Sequence, residues 1–440
     1  MSHRGEGNPG GRAEALLVFD DSLCLERFAR ALKGKAPEYV VLYPLTSDFA
    51  RIDALETWLR QQGARSVRWL DAVADVDAQV GGIRDAIADW VRGVGNVNVE
   101  NRSVKDWFYI ERYGVSAWWL GLLAEKNTLK TRAFLHVAQI LALEAVLRDG
   151  RFSCVVIALA EPSVANALHS IAHREAIRVL TPGTGFIDTL RTRAAGRIQR
   201  GRWIGAAVPG VMAWLRLCAK WAAVRLMMGG VLPDGKATFL FATYFPAFDQ
   251  SAAAQGRFVN RYTGPLQTLL GQLTVPVTWL LVYVPLHGAG LLYALRQARR
   301  FRANGISLLF PEQLLTPTLL VQIIGAWLRQ IAIARRVCRA LDIHAFASPP
   351  ISVECRAVIE RLWRASFAGA AGLQGLAYLA MFRRLWRRAP VPRALAYICE
   401  MHAWEKALLG TRRGLADGIA AIGVQHTVVA RDYYHYFASP

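Results

Sequence analysis

The sequence has few acidic residues and few of the short motifs that mark enzyme active sites. It contains 33 Asp and Glu residues against 53 Lys and Arg residues, a formal net charge of +20 at pH 7. It has no GxSxG nucleophile elbow and no CxxC pair, which disfavours hydrolases of that type and the common zinc classes. The TPGTGF turn at 181–186 fits neither GxGxxG nor GxxxxGK[ST], so it is more typical of a plain turn than of a phosphate cradle.

The N-terminus lacks the features of an export signal. The stretch MSHRGEGNPGGRAE is polar and glycine-rich and has no apolar core of the kind a signal peptide requires. The six cysteines lie far apart, most of them inside apolar runs, as is ordinary for buried thiols in a reducing compartment. The sequence therefore predicts a cytoplasmic protein with a disordered tail at residues 1–13.

The excess of positive charge indicates an anionic partner, and its distribution favours a membrane. Arginines cluster beside apolar stretches at 191–202, 296–302 and 383–388, an arrangement typical of proteins that lie on lipid. The pI of about 10.2 by itself would suggest nucleic acid, but no recognition motif accompanies it. We therefore expect no nucleic-acid partner and a peripheral location on the inner face of the cytoplasmic membrane.

The best candidate for a membrane span, residues 203–232, is interrupted by charge. Arg216, Lys220 and Arg225 break it before about 20 uncharged residues accumulate. An amphipathic helix in the membrane interface fits better, with its tryptophans near the headgroups. These tryptophans are Trp203, Trp214 and Trp221. A helix packed between two lobes, with its charges facing water, explains the pattern equally well.

Strand and helix patterns alternate along the chain at the spacing of α/β proteins. AEALLVFDD, EYVVLYPL and SVRWLDAV look like buried strands separated by helices, and ATFLFATYFP begins a second such series. The sequence therefore predicts an α/β protein of two Rossmann-like lobes with parallel sheets. The predicted segments are 14–190 for the first lobe, 191–232 for a basic amphipathic connector and 233–440 for the second lobe.

The strongest candidate site lies in EMHAWEKALLGTRRGLADGIAAIGVQH, residues 400–426. A strand-like run precedes this stretch, a helical pattern fills its middle and AAIGV is again strand-like, which together make a βαβ pattern. If the two strands are neighbours, Glu400 and His426 both emerge at carboxyl ends, where open α/β sheets bind ligands. They could then serve as general base and as phosphate or sugar ligand. A capping glutamate and a histidine bonded to its own loop are the structural alternative.

Two further groups of residues belong to the candidate site. Glu405 falls in the first turn of the predicted helix, where free backbone N–H groups favour an anion. Glu125, Lys126 and Asn127 follow a pair of tryptophans and form either a helix end packed by aromatic rings or a binding loop.

The sequence gives little support for a metal site. His169 and His173 are four residues apart on a predicted helix, a spacing that lets two imidazoles share a metal, but no third ligand is evident. A solvated helix face explains the pair better. Glu161 and Ser348 also end strand-like runs, but polar residues commonly do so, and each is a weak signal alone.

Three parts of the chain resemble a family of bacterial surface-carbohydrate biosynthesis proteins found with O-antigen and capsule genes. They are WWLGLLAEKNTLKT at 118–131, ATYFPAFD with the later GRFVNRYTGPL, and EMHAWEKALL followed by GVQHTVV. The resemblance extends from about residue 14 to the end of the chain. Its signature positions in this sequence are Glu125, Lys126, Asn127, Glu400, Trp404, Glu405, Lys406, Gln425 and His426.

The resemblance implies a GT-B-like glycosyltransferase that moves a sugar from a nucleotide-sugar donor to a lipid-linked or growing glycan acceptor. In such a reaction a base deprotonates the acceptor hydroxyl, and positive groups stabilise the departing phosphate. We expect the base to be Glu400 or Glu405, with Glu125 as a third choice. Donor contacts are expected from Lys126, Asn127, Trp404, Lys406, Gln425 and His426. No cofactor besides the nucleotide-sugar substrate is expected, and no metal.

Two further expectations accompany this one. Proteins of this type would continue with more α/β sequence after the QH motif, so the second lobe is expected to be incomplete and the chain a fragment or a truncated member. The alternative function is a non-catalytic scaffold of a polysaccharide assembly complex, which would bind the membrane and partner enzymes through its apolar helices.

Overall fold

The computed structural model describes most of the chain. It covers residues 14–25, 28, 37–180, 199–230, 239–285, 288–341, 351–388, 392–426, 429 and 433–436. The tail at 1–13, the TPGTGF turn and Ser348 lie outside these residues, so the expectations about them stay predictions.

The first of two five-stranded sheets is built from residues of the N-terminal half. Its strands are β1 (Glu14–Phe19), β2 (Tyr39–Pro44), β3 (Ser66–Trp69), β4 (Phe152–Ala158) and β5 (Arg178–Leu180). All are parallel, in the order β3-β2-β1-β4-β5. Five of the six residues in each of β1 and β2 are buried. This is why both read as unbroken apolar runs, since a parallel sheet is covered on both faces.

The second sheet repeats this topology. Its strands are β6 (Phe239–Phe245), β7 (Val277–Tyr283), β8 (Ser307–Leu309), β9 (Ala394–Ile398) and β10 (Ala420–Val424). They are again parallel, in the order β8-β7-β6-β9-β10. In each sheet the strand order reverses between the first and fourth strands, as in doubly wound folds. The prediction of an α/β protein with two parallel sheets is confirmed, and both sheets are compatible with Rossmann-like lobes.

Helices of eight or more residues connect and cover the strands. They are α1 (Phe49–Gln61), α2 (Ala72–Asn96), α3 (Ala133–Asp149), α4 (Pro162–Arg174), α5 (Gln199–Met228), α6 (Gly264–Gln272), α7 (Leu291–Ala303), α8 (Pro317–Ala340), α9 (Arg356–Phe367), α10 (Ala370–Arg388) and α11 (Ala403–Gly410). Shorter helices span Val104–Trp107, Leu122–Glu125 and Gln250–Ala254, and 3-10 turns span Glu111–Tyr113, Ala117–Leu120, Pro311–Leu314, Val353–Cys355 and Tyr434–Tyr436. Several helices begin at a side-chain cap; Asp71, for example, accepts the backbone N–H of Ala74.

The chain between α2 and α3 makes two small antiparallel ribbons that the sequence did not predict. They pair Asn98–Val99 with Arg102–Ser103 and Tyr109–Ile110 with Val115–Ser116. This insertion packs on α9 and α10, which belong to the second half of the chain. Phe108 stacks on Phe367 with ring centroids 4.1 Å apart, and the Leu123 N–H donates to Ser366 Oγ at 3.0 Å. One hydrophobic core therefore continues from the first sheet to the second.

The predicted connector contains the long helix α5. Its side chains are not arranged as expected for a helix in the membrane interface with its tryptophans near the headgroups. The indole N–H groups of Trp214 and Trp221 donate to the carbonyls of Leu320 and Leu315. Lys220 Nζ lies 2.6 Å from the buried carboxylate of Glu312. The interfacial helix predicted the tryptophans at headgroup depth, but Trp214 and Trp221 face protein. The packed helix predicted the charges in water, but Lys220 pairs with a buried carboxylate.

Two helical segments are long and apolar enough to satisfy the length and composition of a membrane span. They are Pro317–Ala340, in which 28% of the most apolar 18-residue stretch is buried, and Val353–Arg388, in which 72% is buried. Burial of the second segment is that of a core element, because both α9 and α10 contribute many buried side chains to the continuous hydrophobic core. Such segments are weak indications of a span.

Candidate active site

The candidate site lies at the switch point of the second sheet, between the ends of β6 and β9. Tyr244 is the next-to-last residue of β6, and Glu400 follows β9 by two residues. The Tyr244 hydroxyl donates a hydrogen bond of 2.7 Å to Oε2 of Glu400, which joins the two strand ends. Burial and the nearby Glu400 carboxylate raise the pKa of Tyr244, so the phenol stays protonated as a donor. Open α/β sheets bind their ligands at such points.

Two imidazoles flank Glu400. His402 Nε2 is 3.4 Å from Oε2, and His426 Nε2 is 3.3 Å from Oε1. His426 follows β10, which pairs with β9 in parallel register, so the predicted βαβ unit and the predicted proximity of Glu400 and His426 are both present. The His426 ring lies on Tyr262, with centroids 4.2 Å apart. Groups that can donate hydrogen bonds thus contact both carboxylate oxygens and fix their orientation.

Glu405 shapes the loop that carries Glu400. Its Oε2 accepts the backbone N–H groups of Glu400 at 3.0 Å and Met401 at 2.9 Å, and its Oε1 accepts that of His402 at 3.1 Å. Met401 adopts a φ of +58°, which turns successive N–H groups toward one carboxylate. Burial raises the pKa of Glu405 to about 8, although the three N–H groups act in the opposite direction. Because both oxygens are occupied by backbone, this geometry favours a positioning role for Glu405 over that of a base.

Glu125 reaches the same loop from the first half of the chain. Its Oε1 accepts the backbone N–H of Ala403 at 3.3 Å and lies 2.5 Å from Lys130 Nζ. The same oxygen is 4.0 Å from His402 Nδ1. Glu405 accepts the N–H of His402 and Glu125 accepts the next one, that of Ala403. The two carboxylates thus partly neutralise the positive end of the α11 dipole. The N–H groups there do hold an anion, as expected, but the anions are the chain's own carboxylates, as in the structural alternative of a capping glutamate.

Lysines and histidines gather around Glu125. Burial lowers the pKa of His402 to about 3, and Lys130, His435 and Lys406 act in the same direction. Burial also lowers the pKa of Lys406 to about 8 and that of Lys126 below its usual range. The imidazole of His402 is therefore neutral at pH 7, and the positive charge of the cluster resides on its lysines.

A cavity of about 640 Å³ opens beside Glu400. Its polar lining includes Glu125, Lys130, Tyr244, Tyr262, Glu400 and His402, and its apolar lining comes from the end of β7 and from α10. This volume is within the range of small-molecule sites, which are mostly apolar with a few convergent polar groups. A larger groove, of about 1000 Å³, lies between residues 98–112 and α8 and does not contain this carboxylate–imidazole cluster.

The other predicted site residues lie around the cavity without all lining it. Trp404 lines it and donates from its indole N–H to the Tyr244 hydroxyl at 3.4 Å. Asn127 is buried, and its Nδ2 is 3.4 Å from His402 Nε2. Lys406 donates to the carbonyl of Trp119 at 3.5 Å. Lys126 ends a short helix at a φ of +55°, and Gln425 is exposed beside His426.

Sequence reasoning missed several residues of the site. His402 lies within residues 400–426, but the sequence pattern predicts no function for it, although it lies two residues beyond Glu400 at the same strand end. Tyr244 could have been found by a similar criterion, since it is a polar side chain one residue before the end of the apolar run of β6. Tyr262 and Lys130 carry no such signal, because loops that are distant in sequence bring them to the cavity.

The corresponding point of the first sheet is closed by protein. Asp20 follows β1, and its Oδ2 accepts the backbone N–H of Ala160, beyond the end of β4, at 2.8 Å. Its other oxygen accepts the N–H of Ser22 at 2.9 Å. Glu161 caps α4 and pairs with Arg361 at 2.5 Å. A carboxylate of the chain thus bridges this switch point.

His169 and His173 lie on α4 and line a shallow pocket that also includes Arg178. Across the described residues, no group of three or more His, Cys, Asp or Glu side chains is arranged to hold a metal ion.

Comparison of the chain with protein-family models, with curated proteins and with solved structures finds no match. The function must therefore be inferred from the chemistry of the site.

Proposed function

We propose that the protein is a glycosyltransferase of bacterial surface polysaccharide biosynthesis, with a GT-B-like arrangement of its two lobes. It would transfer a sugar from a nucleotide-sugar donor to a lipid-linked or growing glycan acceptor. The observation that carries the proposal is the Glu400 carboxylate, held between Tyr244, His402 and His426 at a switch point that opens into a cavity. The resemblance of residues 118–131 and 400–409 to such proteins gives it further support.

In this reaction Glu400 is the general base. The acceptor hydroxyl oxygen attacks the anomeric carbon of the donor, its proton passes to Glu400, and the bond from that carbon to the phosphate oxygen breaks. The electron pair leaves with the nucleotide phosphate. Glu400 suits this role because its carboxylate lines the cavity, whereas both oxygens of Glu405 are bonded to backbone. His402 is neutral and orients Glu400 without adding charge.

The lysines of the site would stabilise the departing phosphate. Lys130 lines the cavity, and Lys126 and Lys406 lie near enough to lower the pKa of His435. An anion bound among partly buried lysines is stabilised more strongly than one in water, because the effective dielectric is lower. Glu125 stays paired with Lys130 and holds the start of α11, so we assign it a positioning role.

The first experiment is a thermal-shift screen of the purified protein against UDP-, GDP- and CMP-linked sugars. A donor present at about one hundred times its Kd stabilises the native state by about 2.7 kcal/mol and raises the Tm by a few degrees. The donor with the largest shift is then used to measure release of the nucleotide product.

Glu400→Gln is expected to lower turnover with that donor by about a hundredfold or more, since a general base contributes that much. Donor binding should remain, because the amide keeps the shape of the side chain. The matched control is Glu38→Gln, a change at a carboxylate that is 57% exposed and remote from the site, and its turnover should equal that of the wild type. Unaltered glycan production in cells carrying Glu400→Gln, with no donor shifting the Tm, would favour the scaffold instead.

A further inference from the structure

Helix α5 exposes an apolar stripe that the proposed transfer reaction does not use. The α5 stripe consists of Ile204, Val208, Val211, Met212, Leu215 and Leu226. Their exposed fractions range from 43% at Val211 to 87% at Leu226. The spacing is that of one helix face, and two exposed alanines, Ala219 and Ala222, continue it between the last two members. At 1.5 Å per residue the stripe is about 33 Å long.

The opposite side of α5 is firmly packed, so the exposure of the stripe belongs to the fold. Trp214 and Trp221 donate hydrogen bonds to backbone carbonyls beneath the helix, and Lys220 pairs with buried Glu312. Gly210 lies against the ring of Trp327 in α8. A stripe of large apolar side chains on an otherwise well-anchored helix marks an interaction surface, because soluble proteins rarely leave such patches in water.

Helix α8 lies beside α5 and widens the apolar surface. The two helices meet where Trp214 contacts the carbonyl of Leu320 and where Gly210 contacts Trp327. On α8, Val321 and Leu328 are 67% and 57% exposed. The apolar surface therefore spans two adjacent helices.

The charges on these two helices are all of one sign. Neither Gln199–Met228 nor Pro317–Ala340 contains an Asp or Glu residue. Arg216 and Arg225 are exposed on the same side of α5 as the stripe, and Arg329 is exposed on α8 next to Leu328. A partner that covers this surface must accept apolar side chains and supply negative charge at its border.

We propose that the α5 stripe, together with Val321 and Leu328, docks on an anionic lipid bilayer. Acyl chains would cover the apolar side chains, and lipid phosphates would neutralise the arginines beside them, as in helices that lie in the membrane interface. A second copy of the chain fits less well, because two such surfaces face to face would bring like-charged arginines together. This docking does not depend on the transfer reaction. In it the exposed side of α5 contacts lipid, whereas Trp214 and Trp221, which the interfacial prediction placed near the headgroups, face protein.

The test is co-sedimentation of the full chain with vesicles of phosphatidylglycerol and phosphatidylethanolamine, with phosphatidylcholine vesicles as the neutral comparison. The wild type should bind the anionic vesicles, more weakly at high salt, and bind the neutral ones poorly. The double variant Val208→Asp, Leu215→Asp should bind the anionic vesicles at least about tenfold more weakly, since it places two carboxylates in the stripe. Arg216→Gln should weaken binding about fivefold, by removing one lipid-facing charge.

The matched control is Val73→Asp, which changes a valine that is 69% exposed on α2 of the first half. It should bind as the wild type does. If the double variant does not fold, as judged by circular dichroism, Val321→Asp on α8 tests the same surface and should also weaken binding.

Three results would overturn the docking surface. One is that folded variants with changes in the α5 stripe bind anionic vesicles as strongly as the wild type does. Another is a dimer in light scattering that Leu215→Asp disperses, which would assign the stripe to a second copy. The last is a membrane-bound fraction that resists alkaline carbonate, since that behaviour belongs to a spanning helix.

Discussion

At the scale of single residues, His402 is the most strongly perturbed histidine of the site. It contacts Glu400 and lies 4.0 Å from Glu125, and Lys130, Lys406 and His435 surround it. Burial and these neighbours lower its pKa to about 3, so its ring is neutral in the folded protein well below the pH at which an unfolded histidine takes up a proton. The free energy of unfolding must therefore depend on pH.

We expect the contribution of His402 to the free energy of unfolding to fall as the pH is lowered from about 6.5, whereas Glu405, whose pKa is raised to about 8, contributes in the opposite direction. Below that pH the unfolded chain binds a proton at His402 that the folded chain does not accept until about pH 3. The contribution is complete above pH 6.5 and decreases by about 2–3 kcal/mol by pH 4.5. His435, with a pKa lowered to about 4, acts in the same direction. Urea unfolding at a series of pH values measures the change.

The His402→Gln variant has no titrating side chain at position 402. Its free energy of unfolding should therefore decrease less than that of the wild type between about pH 6.5 and about pH 4.5. His173→Gln, a change at an exposed position of α4, is the matched control and should keep the wild-type profile. Equal pH dependence in wild type and His402→Gln would contradict the neutral, buried imidazole.

At the scale of elements, the contact between α5 and α8 depends on a glycine. A Cβ atom at Gly210 would lie 2.3 Å from Cζ2 of Trp327 and 2.7 Å from the carbonyl oxygen of Ala368. Both distances are far below van der Waals contact, and neither a buried indole ring nor a helix backbone moves aside easily. The close approach of the helices therefore requires the absence of a side chain here.

Gly210→Ala is expected to lower the free energy of unfolding by about 1–2 kcal/mol, since overpacking this tight contact costs about 2–3 kcal/mol and the better helix propensity of alanine offsets up to about 1 kcal/mol. Gly205→Ala, in the same helix, is the control. No atom lies within 4 Å of its added Cβ, so it should gain up to about 1 kcal/mol. Stabilisation by both changes would show that α5 does not pack on α8 in this way.

At the scale of the whole molecule, the insertion of residues 98–130 ties the halves of the chain together. Phe108 lies within an aromatic cluster with Trp118, Trp363 and Phe367. Because the core is continuous, the two sheets should unfold in one cooperative step.

Phe108→Ala is expected to lower the free energy of unfolding by about 3–5 kcal/mol, the usual cost of removing a buried phenyl ring. Hydrogen exchange should then accelerate in the central strands of both sheets, β1 and β6, because both depend on the same global opening. Tyr109→Ala, at a neighbouring aromatic residue that is 50% exposed, is the control and should change little. Faster exchange in one sheet alone would indicate two independent units.

Most strands could be predicted from the sequence, because a buried parallel strand is an unbroken apolar run, as in LLVF of β1 and FLFATYF of β6. The proximity of Glu400 and His426 followed from the βαβ pattern by the same physics. The long-range part of the site could not be predicted. Glu125 and Ala403 are 278 residues apart, and no local pattern records that their loops meet. The pairing of Lys220 with buried Glu312 was also hidden, since a distant turn supplies the glutamate.

The bridge that Asp20 makes from β1 to the end of β4 gives the two similar sheets unequal chemistry. At the first sheet both oxygens of Asp20 accept backbone N–H groups of the chain, those of Ala160 and Ser22. At the second sheet Glu400 and Lys130 line an open cavity. One repeated topology therefore joins its two strand ends directly in one half and leaves a cavity beside them in the other.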